Sequence, residues 1–129
     1  MANQGINWED LQEERFRRDP AARERWERTA FARAVASAII RYRVEHGLSQ
    51  GKLAKQLGMV QPNIFRLELG EHNPTPETLH RLAKGLGLRF VLDIGPSETA
   101  PAGLPTESCT RTEVVTGDGV RITASIGTR

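Results

Sequence analysis

LSQGKLAKQLGMVQPNIFRLELG, residues 48–70, is the stretch from which the rest of the chain can be read. Its apolar side chains fall at Leu48, Leu53, Ala54 and Leu57 ahead of Gly58, then at Ile64 and Leu67 ahead of Gly70. Steps of three and four residues place each set along one side of a short helix. The two helices meet at Gly58-Met59-Val60, where Leu53, Ala54, Leu57, Val60, Ile64 and Leu67 can face one core. A side chain as small as Ala54 lets the second helix approach the first closely.

Outward toward the N-terminus, Trp8 to Arg18 reads as a short charged helix, closed by Asp19-Pro20, a pair that caps and opens the next one. From Ala21 to about His46 there is no proline or glycine. Trp26, Ala30, Phe31, Ala34, Val35, Ala38, Ile39 and Tyr42 form a single stripe, which predicts one helix of about seven turns ended by Gly47. Toward the C-terminus, Thr75-Pro76-Glu77 supplies an N-cap, a first-turn proline and an acid at the positive helix end, followed by Leu79, Leu82, Ala83 and Leu86 on one face. Four helices are thus expected within residues 21–86. At Arg89–Ile94 the period changes to two, as in a strand, with no strand neighbour nearby in sequence. Pro96 to Cys109 reads as a flexible linker. Glu113–Thr116 and Val120–Ile126 then flank Gly117-Asp118-Gly119, a hairpin signal. Because a lone hairpin is marginal in water, it should dock on the 89–94 strand or on a second subunit; the alternative is a disordered tail.

The expected fold is mainly α: a helix-turn-helix domain with a long N-terminal helix, followed by a β-strand, to which the family resemblance given below assigns dimerisation, and a small C-terminal β-hairpin. It divides into a helical extension (1–28), the helix-turn-helix domain with its strand (29–95), a linker (96–110) and a hairpin or tail (111–129). In a helix-turn-helix unit the second helix lies in the DNA major groove and the first sits over the backbone.

The bulk properties agree with a small binding module. The 129 residues suffice for one compact domain with an appendage but not for two enzyme domains. Hydrophobic residues make up 38%, aromatics 5% and charged residues 26%, with a mean hydropathy of −0.46, as in a soluble helical protein. No run approaches the roughly 20 apolar residues of a membrane span, and no basic-then-apolar leader opens the chain, so a cytoplasmic location is expected. The net charge of +2 conceals a gradient. Residues 41–66 hold Arg41, Arg43, Lys52, Lys55 and Arg66 against Glu45 alone, a local +4 suited to a polyanion or simply to a solvated surface.

Particular residues resemble the Xre and lambda-repressor family: Arg43, Leu48-Ser49-Gln50, Leu53-Ala54, Leu57-Gly58, Gln61, Ile64, Arg66-Leu67-Glu68, Gly70 and Asn73-Pro74. The resemblance covers about residues 29–94. It implies that Gln61, Pro62, Asn63, Phe65 and Arg66 form the base-reading surface and that Gln50 touches a phosphate or an adjacent base. The amides of Gln61 and Asn63 suit the adenine edge, and Arg66 suits a guanine or a phosphate. Arg43, Lys52 and Lys55 suit backbone phosphates. Glu68 resembles the family acid that braces the arginine of the preceding long helix, here Arg43. Two residues depart from the pattern. Val60 stands where many members cap the recognition helix with Ser or Thr, which would shift the cap to Gln61; Phe65 either presses on a thymine methyl or lies against Pro62.

The flanks, Asp19 to Trp26 and Leu88 to Ile94, resemble HigA-type and HipB-type antitoxins. That resemblance implies a homodimer joined through Phe90, Leu92 and Ile94, a palindromic double-stranded DNA operator with half-sites about one turn apart, and a HigB or RelE-like mRNA-cleaving toxin as partner. Trp8, Leu11 and Phe16 form an apolar arc that either binds such a partner or packs on the protein's own long helix. No catalytic constellation emerges. His46, His72 and His80 lack ligand spacing, Cys109 is a lone thiol, and Gly85 and Gly87 close a helix, so no metal, cofactor or enzymatic activity is expected. The competing readings are an antitoxin, a stand-alone dimeric repressor, and an interaction module that has lost DNA binding.

Overall fold

The computed structural model describes residues 5–99 and 109–128. Among these the chain forms α1 (Trp8–Arg18), α2 (Pro20–Arg28), α3 (Ala30–Glu45), α4 (Gln50–Leu57), α5 (Gln61–Leu69), α6 (Pro76–Leu86), β1 (Leu88–Pro96), β2 (Cys109–Val115) and β3 (Val120–Thr128). Short polar side chains start most of the helices by satisfying first-turn N–H groups. Asn7 accepts from the Glu9 amide at 3.0 Å, Asp19 from Ala22 at 3.3 Å, Ser49 from Lys52 at 3.1 Å and Thr75 from Thr78 at 3.2 Å.

The single helix expected over 21–46 is in fact two, broken at Thr29. In an unbroken helix the Ala32 N–H would donate to the Arg28 carbonyl. Here the side chain of Asn73 stands between them: its Oδ1 accepts from the Ala32 amide at 3.1 Å and its Nδ2 donates to the Arg28 carbonyl at 2.9 Å. An amide inserted into the ladder is an established cause of a helix break. The Thr29 hydroxyl also bonds back to the Arg25 carbonyl at 2.8 Å. The apolar stripe survives the break because α3 resumes at Ala30 with Phe31, Val35 and Ile39 in phase.

The core joins every helix from α3 onward. Val35, Ile39, Leu53, Ile64 and Leu82 are wholly buried, with Phe31, Ala54, Leu57 and Leu86 around them. Burial of each large aliphatic side chain contributes about 1.5–3 kcal/mol. Helix α6 approaches α4 so closely that a Cβ on Gly85 would run into Leu57 Cδ2. Gly85 therefore does more than mark a helix end.

The C-terminal segment belongs to this same core. The strands form one antiparallel sheet in the order β1-β3-β2, with Phe90 opposite Ile126 and Leu92 opposite Ala124. The hairpin thus docks on β1 of its own chain, the first of its two expected partners, and supplies the neighbour that the 89–94 strand lacked. Its two strands run longer than the sequence suggested. Ala124 and Ile126 are buried in one cluster with Val35 and Leu82, β3 touches α3, and as the inner strand it is paired on both sides. The linker assigned to 96–110 lies largely outside the described residues, and Pro96 belongs to β1.

Candidate nucleic-acid interface

Helices α4 and α5 cross at a turn held from both sides. Gly58, at φ +66°, ends α4 in the left-handed conformation that favours glycine. Its carbonyl accepts from Arg81 Nη1 at 2.9 Å, so α6 fixes the turn. The far end of α5 is held as tightly: Gly70 packs on α3, and a Cβ there would lie 3.2 Å from Arg33 Cα. Arg81 is a positioning residue that sequence reasoning missed, since its partner is a backbone atom 23 residues away and leaves no local signature.

The N-cap of α5 is Val60, without a side-chain cap bond; Gln61 is the first helical residue and Pro62 the second. The cap does not pass to Gln61. Its amide turns toward α4, and Nε2 donates to Gln50 Oε1 at 2.8 Å. Gln50 Nε2 donates in turn to Glu68 Oε2, and Arg43 Nε donates to Glu68 Oε1 at 2.7 Å. Arg43 also reaches the Leu48 carbonyl at 3.3 Å. A chain of four side chains therefore runs from the start of α5 through α4 to α3. The Glu68 side chain is only 6% exposed, and each of its oxygens is engaged. A half-hidden guanidinium with a fully engaged carboxylate holds geometry more than it adds surface charge. The Arg43 side chain, expected at the phosphates, is turned toward Glu68 and 24% exposed.

Beyond this chain the surface is open. Gln61, Pro62, Asn63 and Arg66 are exposed, Phe65 shows about half of its surface (49%), and Lys52 and Lys55 project from α4 into solvent. These residues present amides, a guanidinium, two ammonium groups and an aromatic ring on the adjoining faces of two short helices. Such a surface can neutralise phosphates and offer donors and acceptors to base edges. Polar side chains linked as Gln61 and Gln50 are lose fewer rotamers on binding.

The other candidate residues lie elsewhere. On α1, Trp8 is 76% exposed and Leu11 46%, whereas Phe16 is half-buried with its ring centroid 6.4 Å from that of Trp26. The apolar arc is thus divided between a solvent-facing part and one packed on α2. On β1, Phe90 packs against the core, while Leu92 and Ile94 stay exposed. His46 stacks on Tyr42 with centroids 3.9 Å apart. Among the described residues no cluster of three or more His, Cys, Asp or Glu forms, and no helix is long and apolar enough to cross a membrane.

The chain is similar in sequence to known proteins. A family model described as helix-turn-helix matches residues 39–92. Over 69 residues the chain is 38% identical to an uncharacterised HTH-type transcriptional regulator of Sinorhizobium fredii, a match covering 54% of this chain and 90% of that protein. It is 35% identical over 83 residues to an uncharacterised HTH-type transcriptional regulator of Haemophilus influenzae, covering 64% and 80%. It is also 33% identical over 85 residues to the antitoxin HigA1 of Mycobacterium tuberculosis, covering 64% of this chain and 57% of the antitoxin. No solved structure matches the chain significantly.

Proposed function

This chain belongs to the Xre-like helix-turn-helix family, and from that premise we propose that it is a transcriptional repressor that binds a palindromic operator as a homodimer and acts as the antitoxin of a toxin-antitoxin pair. The observation that carries the DNA-binding part is the exposed edge of α5 from Gln61 to Arg66, held in place by the Gln50, Glu68 and Arg43 chain and flanked by Lys52 and Lys55. Gln61, Pro62, Asn63, Phe65 and Arg66 read bases in this proposal. Gln50, Lys52 and Lys55 meet phosphates, and Glu68 with Arg43 is the brace that holds the reading helix.

Two observations support the finer assignment. The chain is 33% identical to an antitoxin over 85 residues, and Trp8 and Leu11 offer exposed apolar surface for a protein partner. The proposed partner is a HigB or RelE-like toxin. The stand-alone repressor is the second reading, favoured by relatives that carry only the name of a transcriptional regulator. Neighbouring genes separate the two. The antitoxin should bind DNA upstream of its own gene, and an adjacent gene should encode a small protein that is toxic alone and copurifies with it. An isolated gene, or a harmless neighbour, returns the protein to the stand-alone class.

Dimerisation is proposed through β1. One side of this strand pairs with β3, which leaves its other side as a sheet edge where a second copy can add. Leu92 and Ile94 lie beside that edge at 45% and 61% exposure. Replacing both by Asp should yield monomers in light scattering with an unchanged circular dichroism spectrum, because neither is needed by the chain's own core. An unchanged dimer mass would remove β1 from the interface.

A further inference from the structure

Where α1, α2 and the start of α3 meet the loop after α5, the helices border a solvent-open cleft of about 690 Å³. That is the size range of small-molecule sites. Its walls carry Arg15, Arg25, Arg28 and Arg33, with Glu71 as the one carboxylate among the described residues of the lining. Arg25 reaches Asp19 at 3.4 Å; among the described residues the other three arginines form no ion pair.

Arg33 is the most constrained of them. Its guanidinium lies 3.4 Å above the centre of the Trp26 ring, and Nη1 donates to the Thr29 hydroxyl at 2.9 Å. Stacking on Trp26 and bonding to Thr29 fix the plane of the fork while its charge remains uncompensated. Partial burial removes water from the guanidinium and lowers its pKa from the usual value. A partly desolvated, oriented cation without an ion-pair partner gains from an anion brought within reach. With Arg15 and Arg28 on the same walls, a doubly charged group is matched better than a single carboxylate.

We propose that this cleft binds a small organic phosphate, held by Arg33, Arg28 and Arg15 against the Trp26 wall. The cleft lies at the C-terminal end of α5, about 13 Å along the helix axis from Gln61 and one turn beyond Arg66, and none of the residues assigned to base reading is on its walls. Occupancy would nevertheless be felt at the reading edge. Leu69, the last residue of α5, and its C-cap Gly70 line the cleft, and Asn73 of the loop that follows holds the α2-α3 break open. A ligand drawing on α1, α2 and α3 together thereby bears on how α5 is seated.

The test uses the full chain without DNA, so it does not depend on the proposed DNA binding. Inorganic pyrophosphate and ADP are titrated calorimetrically into the wild type, into an R15Q/R28Q double variant and into a K52Q/K55Q variant. Arg15 and Arg28 are exposed, so the double variant should keep the wild-type circular dichroism spectrum. Expected are one site per chain, a Kd raised about tenfold or more in R15Q/R28Q, and no change in K52Q/K55Q. The proposal is overturned if neither probe binds, if R15Q/R28Q binds as the wild type does, or if the loss falls on K52Q/K55Q.

Discussion

Replacing Gln61 and Arg66 together by Ala is expected to lower affinity for the operator by roughly a hundredfold or more, because each good bidentate base contact contributes about 1–3 kcal/mol of discrimination. Both side chains are exposed, so the fold should be indifferent. The one bond lost within the protein is that from Gln61 to Gln50, a solvent-facing contact. Far-UV circular dichroism and the thermal midpoint should therefore match the wild type, while fluorescence anisotropy on the upstream DNA shows the loss. Full retention of specific binding in this variant would falsify the assignment of α5 as the reading helix. Loss of structure in parallel with binding would show instead that the Gln61-Gln50-Glu68-Arg43 chain holds the domain together.

Ile126→Asp should be more destabilising than any surface substitution on α4 or α5. In a hairpin tail that touches nothing, it would add a charge to the surface and change little. In this fold Ile126 is 6% exposed, paired opposite Phe90 and grouped with Val35, Ile39 and Leu82. An unpaired carboxylate at such a place costs about 4 kcal/mol or more, a large part of the 5–15 kcal/mol that keeps a typical domain folded. A midpoint lowered by more than about 10 °C, or an unfolded chain, is the expected result in a thermal melt followed at 222 nm. A midpoint within a degree or two of the wild type would mean that the C-terminal strands do not belong to the core. Ile126→Val is the matching control. It removes one methylene, should cost only about 1 kcal/mol, and separates loss of packing from burial of charge.

The two variants probe parts of the chain that differ in how readable they were. The pair α4-α5 was legible because its determinants are local: apolar residues at helical spacing, Ser49 as an N-cap, and Gly58 and Gly70 at the ends. Thr75 and Pro76 announced α6 in the same way. The start of α5 was less readable. Val60 is a poor cap on sequence grounds, and reassigning that role to Gln61 missed that the Gln61 amide finds a partner in Gln50, across the turn. Likewise, Phe90, Leu92 and Ile94 share one face of a strand by simple alternation. What distinguishes Phe90 from the other two is where α6 and the core lie relative to the sheet, which no spacing reveals.

By itself the sequence determined which segments are helical, where most of them begin and end, and which edge of α5 is left polar. Each of these follows from interactions within a few residues, where steric preference, capping and apolar periodicity act directly on the backbone. Only the tertiary structure decided that the long helix divides at Thr29, that Arg81 fixes the turn, and that the C-terminal hairpin closes the core. The first depends on an amide reaching across more than 40 residues to separate one N–H from its carbonyl. The last depends on a strand added beside β1 to complete a buried face that the helices leave open. Pairing energies of this kind exist only once distant segments are in contact, and so they leave no periodicity in the chain.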